Sequence, residues 1–417
     1  MKIRYLFFVI TLMVCMVSCD KNRLDRDRTE TIPLTRSEHQ YAEKSNDFAS
    51  ELLQMYYDKK KEAYDFVLSP VNLQMFLGML GAAASEDQVT DINRMLGYES
   101  ASPEAINSFC KKVLEKSPRL DPKVTLGMVN QWWLNSEVGF RLYPAFAGVL
   151  KESYQVEPET RDFSTDPMRE ITRSWVKEHT RGMIDYGCPL PYPRQCILAS
   201  AAYFKADWKD QFDRSASVKA DFFREDGRTT QVSYMINEFT DVEMYEDAML
   251  QALYLPFGSG AFRMEFYLPR PEKKVQDVIS VLREESFPRQ GECARTVVNL
   301  PVFDLLCSNE SLVEDLRDHF GIVVSDRFRS AARYPLCGED LDGVGMEINE
   351  ITHMARIRVH EEGAEAAAVT VNRYALTMPA PGTLPRFFAA TRPFVFLIRE
   401  VGSGIVFFSG VYAGGVQ

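Results

Sequence analysis

Histidine is scarce in this chain: five in 417 residues, His39, His179, His319, His353 and His360. No two stand at metal-ligand spacing, so the ordinary zinc sites are excluded. The nearest miss is HEEGA at 360–364, where Ala364 occupies the place of a second histidine. Nucleophile and phosphate signatures are missing as well. FGSGA at 257–261 is not G-x-S-x-G. Gly402, Gly404 and Gly410 do not make G-x-G-x-x-G. A dispersed triad leaves no local mark, but nothing in the sequence favours an enzyme, and no cofactor or metal is called for. Basic charge is in deficit, with 48 Lys and Arg against 59 Asp and Glu and a net charge of −11. A field of that sign does not attract nucleic acid, whose phosphates need clustered cations.

Cysteines are few and wide apart. After residue 19 they are Cys110, Cys188, Cys196, Cys293, Cys307 and Cys337, with no C-x-x-C. Such spacing in a large chain is unlike a disulfide framework. Cys188 and Cys196 are close enough to pair in an exported protein; buried free thiols are the other reading.

One apolar run stands out, YLFFVITLMVCMV, and it is too short to span a bilayer comfortably. Lys2 and Arg4 precede it and Ser18-Cys19 follow, the order of an export signal. The ending MVSC resembles a bacterial lipobox. Residues 1–18 then form a lipoprotein signal peptide, and Cys19 becomes the lipid attachment point of a membrane-anchored protein. Removing Lys2 and Arg4 takes the net charge from −11 to −13. The expected location is the bacterial cell envelope, outer membrane or surface, or the medium after release. Ordinary secretion is the alternative.

Residues 19–40 are polar and without periodicity, and read as a flexible tether. From residue 41 to 417 there is no second linker and no repeat, so one folded unit is expected. Apolar residues make up 46% and charged residues 26%, enough for a sizeable core. Helical spacing covers 41–63, the run after Ser69-Pro70, and about 86–97, 103–116, 143–154 and 166–181. Strand patterns cover 124–134, 196–205, 250–256, 262–268, 297–305, 354–360, 394–399 and the closing GIVFFSGVY. Helices come mostly early and strands mostly late, which indicates α+β.

Six blocks now fall in an order that resembles a serpin, the serine-protease-inhibitor fold. DFVLSP at 65–70 with its following helix is similar to N-(I/V)-x-x-S-P-x-S. VNQWW at 129–133 is similar to the start of the long central strand. Trp175-Val176 with Thr180-Arg181-Gly182-Met183-Ile184 resembles W-V-x-x-x-T-x-G-x-I. YFKADW at 203–208 resembles F-F-K-x-x-W and ends on Trp208. LPVF at 300–303 resembles L-P-K-F. RPFVFLI at 392–398 resembles the C-terminal signature. The resemblance implies a single-domain α+β fold with three β-sheets, about eight or nine helices and an exposed reactive-centre loop. It places Ser69, Asn72, Ser200 and His353 in the shutter of the central sheet, with Trp208 in the breach above it. Asn72 stands where a second serine is usual, Ser200 where an asparagine is usual, and Thr391 where Asp, Asn or Gln is usual. The polar shutter is therefore rewired around His353.

The same resemblance explains HEEGAEAAAVTVNRYALTMP at 360–379. In a strand, Ala364, Ala366, Ala368 and Thr370 share one face, all small; Glu365, Ala367, Val369 and Val371 share the other. Gly363 is a permissive joint. In isolation EEGAEAAA is equally a helix. In a serpin it is the hinge, Glu361, Glu362, Gly363, Ala364, Glu365, Ala366, Ala367 and Ala368, of a loop running to about 388. Ala364 replaces the more usual threonine and remains small. A target endopeptidase attacks the loop, and the freed strand inserts into the sheet, a use of strand addition and stored strain known for serpins. Family spacing puts the reactive bond at Thr377-Met378, with Leu376-Thr377 as the alternative. The excess residues in PAPGTLPRFF leave that register open by a few positions. Arg373-Tyr374 lies four residues early, so cleavage there is expected to give turnover. The residues near the bond suit elastase-like, subtilisin-like or papain-like partners of a monomeric inhibitor. The other reading is a non-inhibitory serpin-fold binding or chaperone-like surface protein.

Overall fold

The structure is a computed structural model and describes residues 30–60, 65–82, 84, 86–98, 101–138, 142, 144–188, 196–284, 291–309, 312–321, 351–364 and 384–415. The signal segment, Cys19, Cys337, Glu365 to Ala368 and the bonds around Leu376, Thr377 and Met378 lie outside them.

Helix α1 (Arg36–Lys60) opens on a reciprocal cap. Thr35 N donates to Glu38 Oε2 at 2.7 Å and Glu38 N to Thr35 Oγ1 at 3.4 Å, a T-x-x-E capping box. Lys112 closes on Glu38 at 2.6 Å, and Ile32 is buried just ahead. Residue 32 is therefore already part of the folded body. Residues 32–40 are not tether: a cap, a partly buried ion pair and one apolar anchor outweigh their polarity.

Next come β1 (Phe66–Leu68), α2 (Pro70–Gly81), α3 (Glu86–Met95), α4 (Pro103–Lys116), β2 (Val124–Asn135), α5 (Pro144–Tyr154), β3 (Glu159–Arg161), α6 (Met168–His179) and β4 (Cys196–Asp207). Then follow β5 (Val218–Phe223), β6 (Thr229–Glu246), β7 (Leu250–Pro256), β8 (Phe262–Pro269), α7 (Val275–Glu284), β9 (Glu292–Pro301), β10 (Phe303–Asn309) and α8 (Leu312–Phe320). The chain ends with β11 (Ile351–His360), β12 (Gly363–Ala364), β13 (Arg386–Ala389), β14 (Phe394–Glu400) and β15 (Val406–Tyr412).

Two sheets result. A nine-stranded sheet runs β1-β15-β14-β8-β7-β6-β9-β13, with β5 also on β6. Its two wings, β5-β6-β9-β13 and β7-β8-β14-β15-β1, join along β6, whose pairing with β9 shifts register between Phe239 and Val242. Two of the three expected sheets are thus continuous through one long strand. A six-stranded sheet runs β10-β11-β12-β4-β2-β3, with β11 also paired directly to β4. The strand pattern over 297–305 spans both sheets. Pro301 ends β9, the Val302 amide turns to Ser233 O at 2.8 Å, and Phe303 opens β10 against Val359.

In the six-stranded sheet the central strand β4 is buried on both faces and is apolar at most of its positions. On one face Ile197, Ala199, Ala201, Tyr203, Trp133 and Met354 pack under α6 through Met168 and Val176. On the other, Leu198, Ala202, Phe204 and Ala206 join the main core with α2. Helix α2 is buried along almost its whole length, as a helix apolar all round must be. The block around Thr180 ends α6. Thr180 Oγ1 accepts from Ile184 N at 3.0 Å, and Gly182, at φ +79°, lets its amide reach Lys177 O at 2.7 Å. Cys110 and Cys307 are buried free thiols, Cys188 and Cys196 are buried as well, and Cys293 is exposed.

Candidate functional site

Strands β4 and β11 run side by side in parallel, Leu198 to Tyr203 against Ile351 to Arg356. Beyond Tyr203 they part. Into the gap comes β12, antiparallel to both, with Gly363 opposite Asp207 and His360, and Ala364 opposite Ala206 and Val359. The first two residues of the small-residue stretch are therefore already strand, and Ala364 is fully buried. Only glycine fits at 363. A Cβ there would overlap the Ala206 carbonyl oxygen and stand 2.5 Å from Asp207 Cα.

The segment after β4 grips the turn before this insertion. Trp208 N donates to Glu362 O at 2.8 Å, Phe212 N to Glu361 O at 2.8 Å, and Trp208 Nε1 to His360 O at 2.9 Å. The indole is held in place by stacking on Phe257, 4.4 Å between centroids and 10° from parallel. Ser217 Oγ donates to Glu361 Oε1 at 2.5 Å, and Arg214 lies 4.0 Å from Glu361 and 3.9 Å from Glu362. Trp208, Glu361 and Glu362 are thus brought together. Ser217 and Arg214 were not anticipated, because no sequence block marks them.

The second cluster sits halfway along the parallel pairing, beneath it. His353 and Ser200 are register partners on β11 and β4. The Ser69 amide, at the N-cap of α2, donates to His353 Nε2 at 3.2 Å. That nitrogen must be the acceptor, so the neutral ring carries its proton on Nδ1 and donates it to Ser200 Oγ at 3.2 Å. Asn72 Nδ2 donates to Ser200 Oγ at 2.9 Å and to Ala201 O at 3.0 Å. Asn130 Nδ2 on β2 donates to Asn72 Oδ1 at 3.1 Å. The Ser69 hydroxyl donates to Phe407 O at 2.9 Å, leaving the helix without a side-chain cap. All four anticipated residues meet, and the exchange of serine and asparagine between helix and strand still closes a network. Asn130 is the member missed; it lay in VNQWW but carried no signal beyond strand. Burial pushes the His353 imidazole down from 6.5 to about 4, so it is neutral at ordinary pH. No group of His, Cys, Asp and Glu among the described residues is placed to hold a metal ion.

A sequence profile described as Serpin (serine protease inhibitor) matches residues 43–413. The chain belongs to the serpin family. Serpin-Z1C of Triticum aestivum is 28% identical over 369 residues, covering 84% of this chain and 90% of that protein. Serpin48 of the insect Tenebrio molitor superposes with a TM-score of 0.76 at 22% identity, over 91% of this chain and 99% of that one. Human thyroxine-binding globulin, solved with its hormone, superposes with a TM-score of 0.77 at 20% identity, over 91% of this serpin and 100% of that chain. These two superpositions concern the fold alone. Serpins are generally protease inhibitors rather than enzymes, and some are not inhibitory.

Proposed function

We propose that this serpin is a suicide-substrate inhibitor of serine endopeptidases, and of cysteine endopeptidases by the same route. The protease nucleophile attacks the Thr377 carbonyl, Met378 leaves as the amine, and an acyl-enzyme remains on Thr377. The freed segment extends β12 between β4 and β11 and carries the bound protease with it. The observation that supports this reading is the seating of Gly363 and Ala364 between those two strands, in register with both. Carried forward residue by residue, that register sets Ala366 opposite Phe204 and Ile357, and Ala368 opposite Ala202 and Ala355. Thr370 falls opposite Ser200 and His353. The small face thus meets the buried core side of the sheet, and a hydroxyl arrives between two polar groups that insertion pulls apart. Native serpin would then be a kinetically trapped state.

The test is incubation with elastase-like, subtilisin-like and papain-like proteases. A covalent complex that survives boiling in detergent is expected, with mass spectrometry placing the cut at Thr377-Met378 or Leu376-Thr377. Clipped protein without complex from every protease would overturn the inhibitory reading and favour the binding or chaperone-like one. We also propose lipidation at Cys19 and attachment to the bacterial envelope; Cys19→Ala is expected to lose fatty-acid labelling and leave the membrane fraction.

A further inference from the structure

A cavity of about 710 Å³ lies beside Trp208, a size at which clefts hold ligands. Its buried lining is apolar or aromatic: Trp208, Phe239, Val242, Tyr254 and Leu255. Its exposed lining carries charges of both signs, Arg119 and Lys209 against Glu30, Asp210 and Asp241. Such a lining suits a segment that brings one apolar side chain and charges of both signs. The chain itself enters the folded body here. Ile32 is buried. Thr31 packs so closely on Gly402 that a Cβ there would stand 2.0 Å from Thr31 Oγ1. The residues flanking this contact, Glu30 and Val401, both line the cavity.

The segment that precedes Glu30 is DKNRLDRDRT at 20–29, which lies outside the described residues. Leu24 is its one apolar side chain, with four cations and three aspartates around it. We propose that this segment of the tether docks in the cavity, with Leu24 against the apolar lining and the flanking charges on the rim. Six residues separate Leu24 from Glu30, and extended they reach about 20 Å, which covers a cavity of this size. Attachment at Glu30 makes the encounter intramolecular. The effective concentration is then on the order of millimolar, and even weak contacts are populated. Docking would link the tether to the hinge, because the indole that lines the cavity also donates to His360 O. It would also leave five positions between Cys19 and the body (19 to 24) in place of eleven (19 to 30). The docking itself rests on neither the inhibitory reading nor lipidation.

Cys293 lines the same cavity and is exposed among the described residues, so its thiol reports a segment that covers it. The full-length protein is treated with N-ethylmaleimide, and peptide mapping by mass spectrometry follows the label at Cys293 with time. Leu24→Asp removes the apolar anchor and touches nothing in the folded body. It is expected to label at least about fivefold faster than the unaltered protein, the effect of losing one modest apolar contact. Leu24→Met keeps an apolar side chain of similar size and should label as slowly as the unaltered protein. Equal labelling of the unaltered and Leu24→Asp proteins, whether fast or slow, overturns the docking. Slow labelling that depends on protein concentration also overturns it and assigns the cavity to a second copy of this chain. Either failure leaves the inhibitory reading standing, because that reading is decided by the covalent protease complex.

Discussion

His353 shows how burial and two hydrogen bonds fix one charge state. Its Nε2 already accepts from Ser69, so protonation would set two donors against each other. Burial lowers its pKa from 6.5 to about 4. The unfolded chain therefore binds this proton before the folded one does. Stability from the neutral ring is complete above 6.5 and falls away as pH drops towards 4, by on the order of 3 kcal/mol in all. The melting temperature of the native protein is expected to decline through that window, and the His353→Leu protein should lack this component; equal slopes in the two would contradict it. Gly363 makes a second case. A methyl group there presses on the Ala206 carbonyl oxygen, so Gly363→Ala should cost about 1–3 kcal/mol, as overpacking does. It should also push β12 out of the sheet, seen as a lower melting temperature together with more inhibitor cleaved per complex formed. Ser69, Asn72, Ser200 and His353 were legible because each falls in or beside a recognisable block. Asn130, Ser217 and Arg214 were not, since their roles arise only where separate strands and turns meet.

Elements were legible where one period governs them. The segments β2, β4, β7, β8 and β14, and helices α3, α4 and α5, lie close to where hydrophobic spacing put them. The exceptions have local physical causes. Helix α1 starts five residues early because of its Thr35–Glu38 box, a signal written in TRSE but masked by polar composition. A single pattern over 297–305 became two strands because the chain leaves β6 after Val302, whose amide still bonds Ser233 O, and Phe303 opens β10 against β11 in the other sheet. Strand β12 could be read as sheet or helix from EEGA, and the exposed edges of β4 and β11 decided it. If its register continues, Ala366 meets Phe204 and Ile357. Ala366→Arg would bring a charge into that apolar layer. It is expected to turn the inhibitor into a substrate, with cleavage at an unchanged rate and the stable complex reduced at least tenfold; undiminished complex would argue against insertion altogether.

For the whole molecule, β12 enters the six-stranded sheet for two residues only, where β4 and β11 part, and the two strands are paired directly beyond it; the chain carries a small-sided segment suited to extend β12 if they separate. Insertion would give that segment a hydrogen-bonded neighbour on each side and bury its small face. The native fold is then held by a barrier rather than by its depth. Cleavage between residues 370 and 380 is expected to raise the melting temperature markedly, by calorimetry of intact and clipped protein. No rise would mean that the loop stays outside.

By itself the sequence determined the family, the α+β class, most strands and the small-sided segment, because periodicity and residue size are local properties. Tertiary structure alone decided that Gly363 and Ala364 are already seated and that the start of α2 bonds to both β4 and β11. It also decided that Glu361 answers to Ser217 and Arg214. Each of these depends on partners far apart in the chain, as Ser69 and His353 are by 284 positions, and a buried polar group takes whichever partner the packed fold brings within reach.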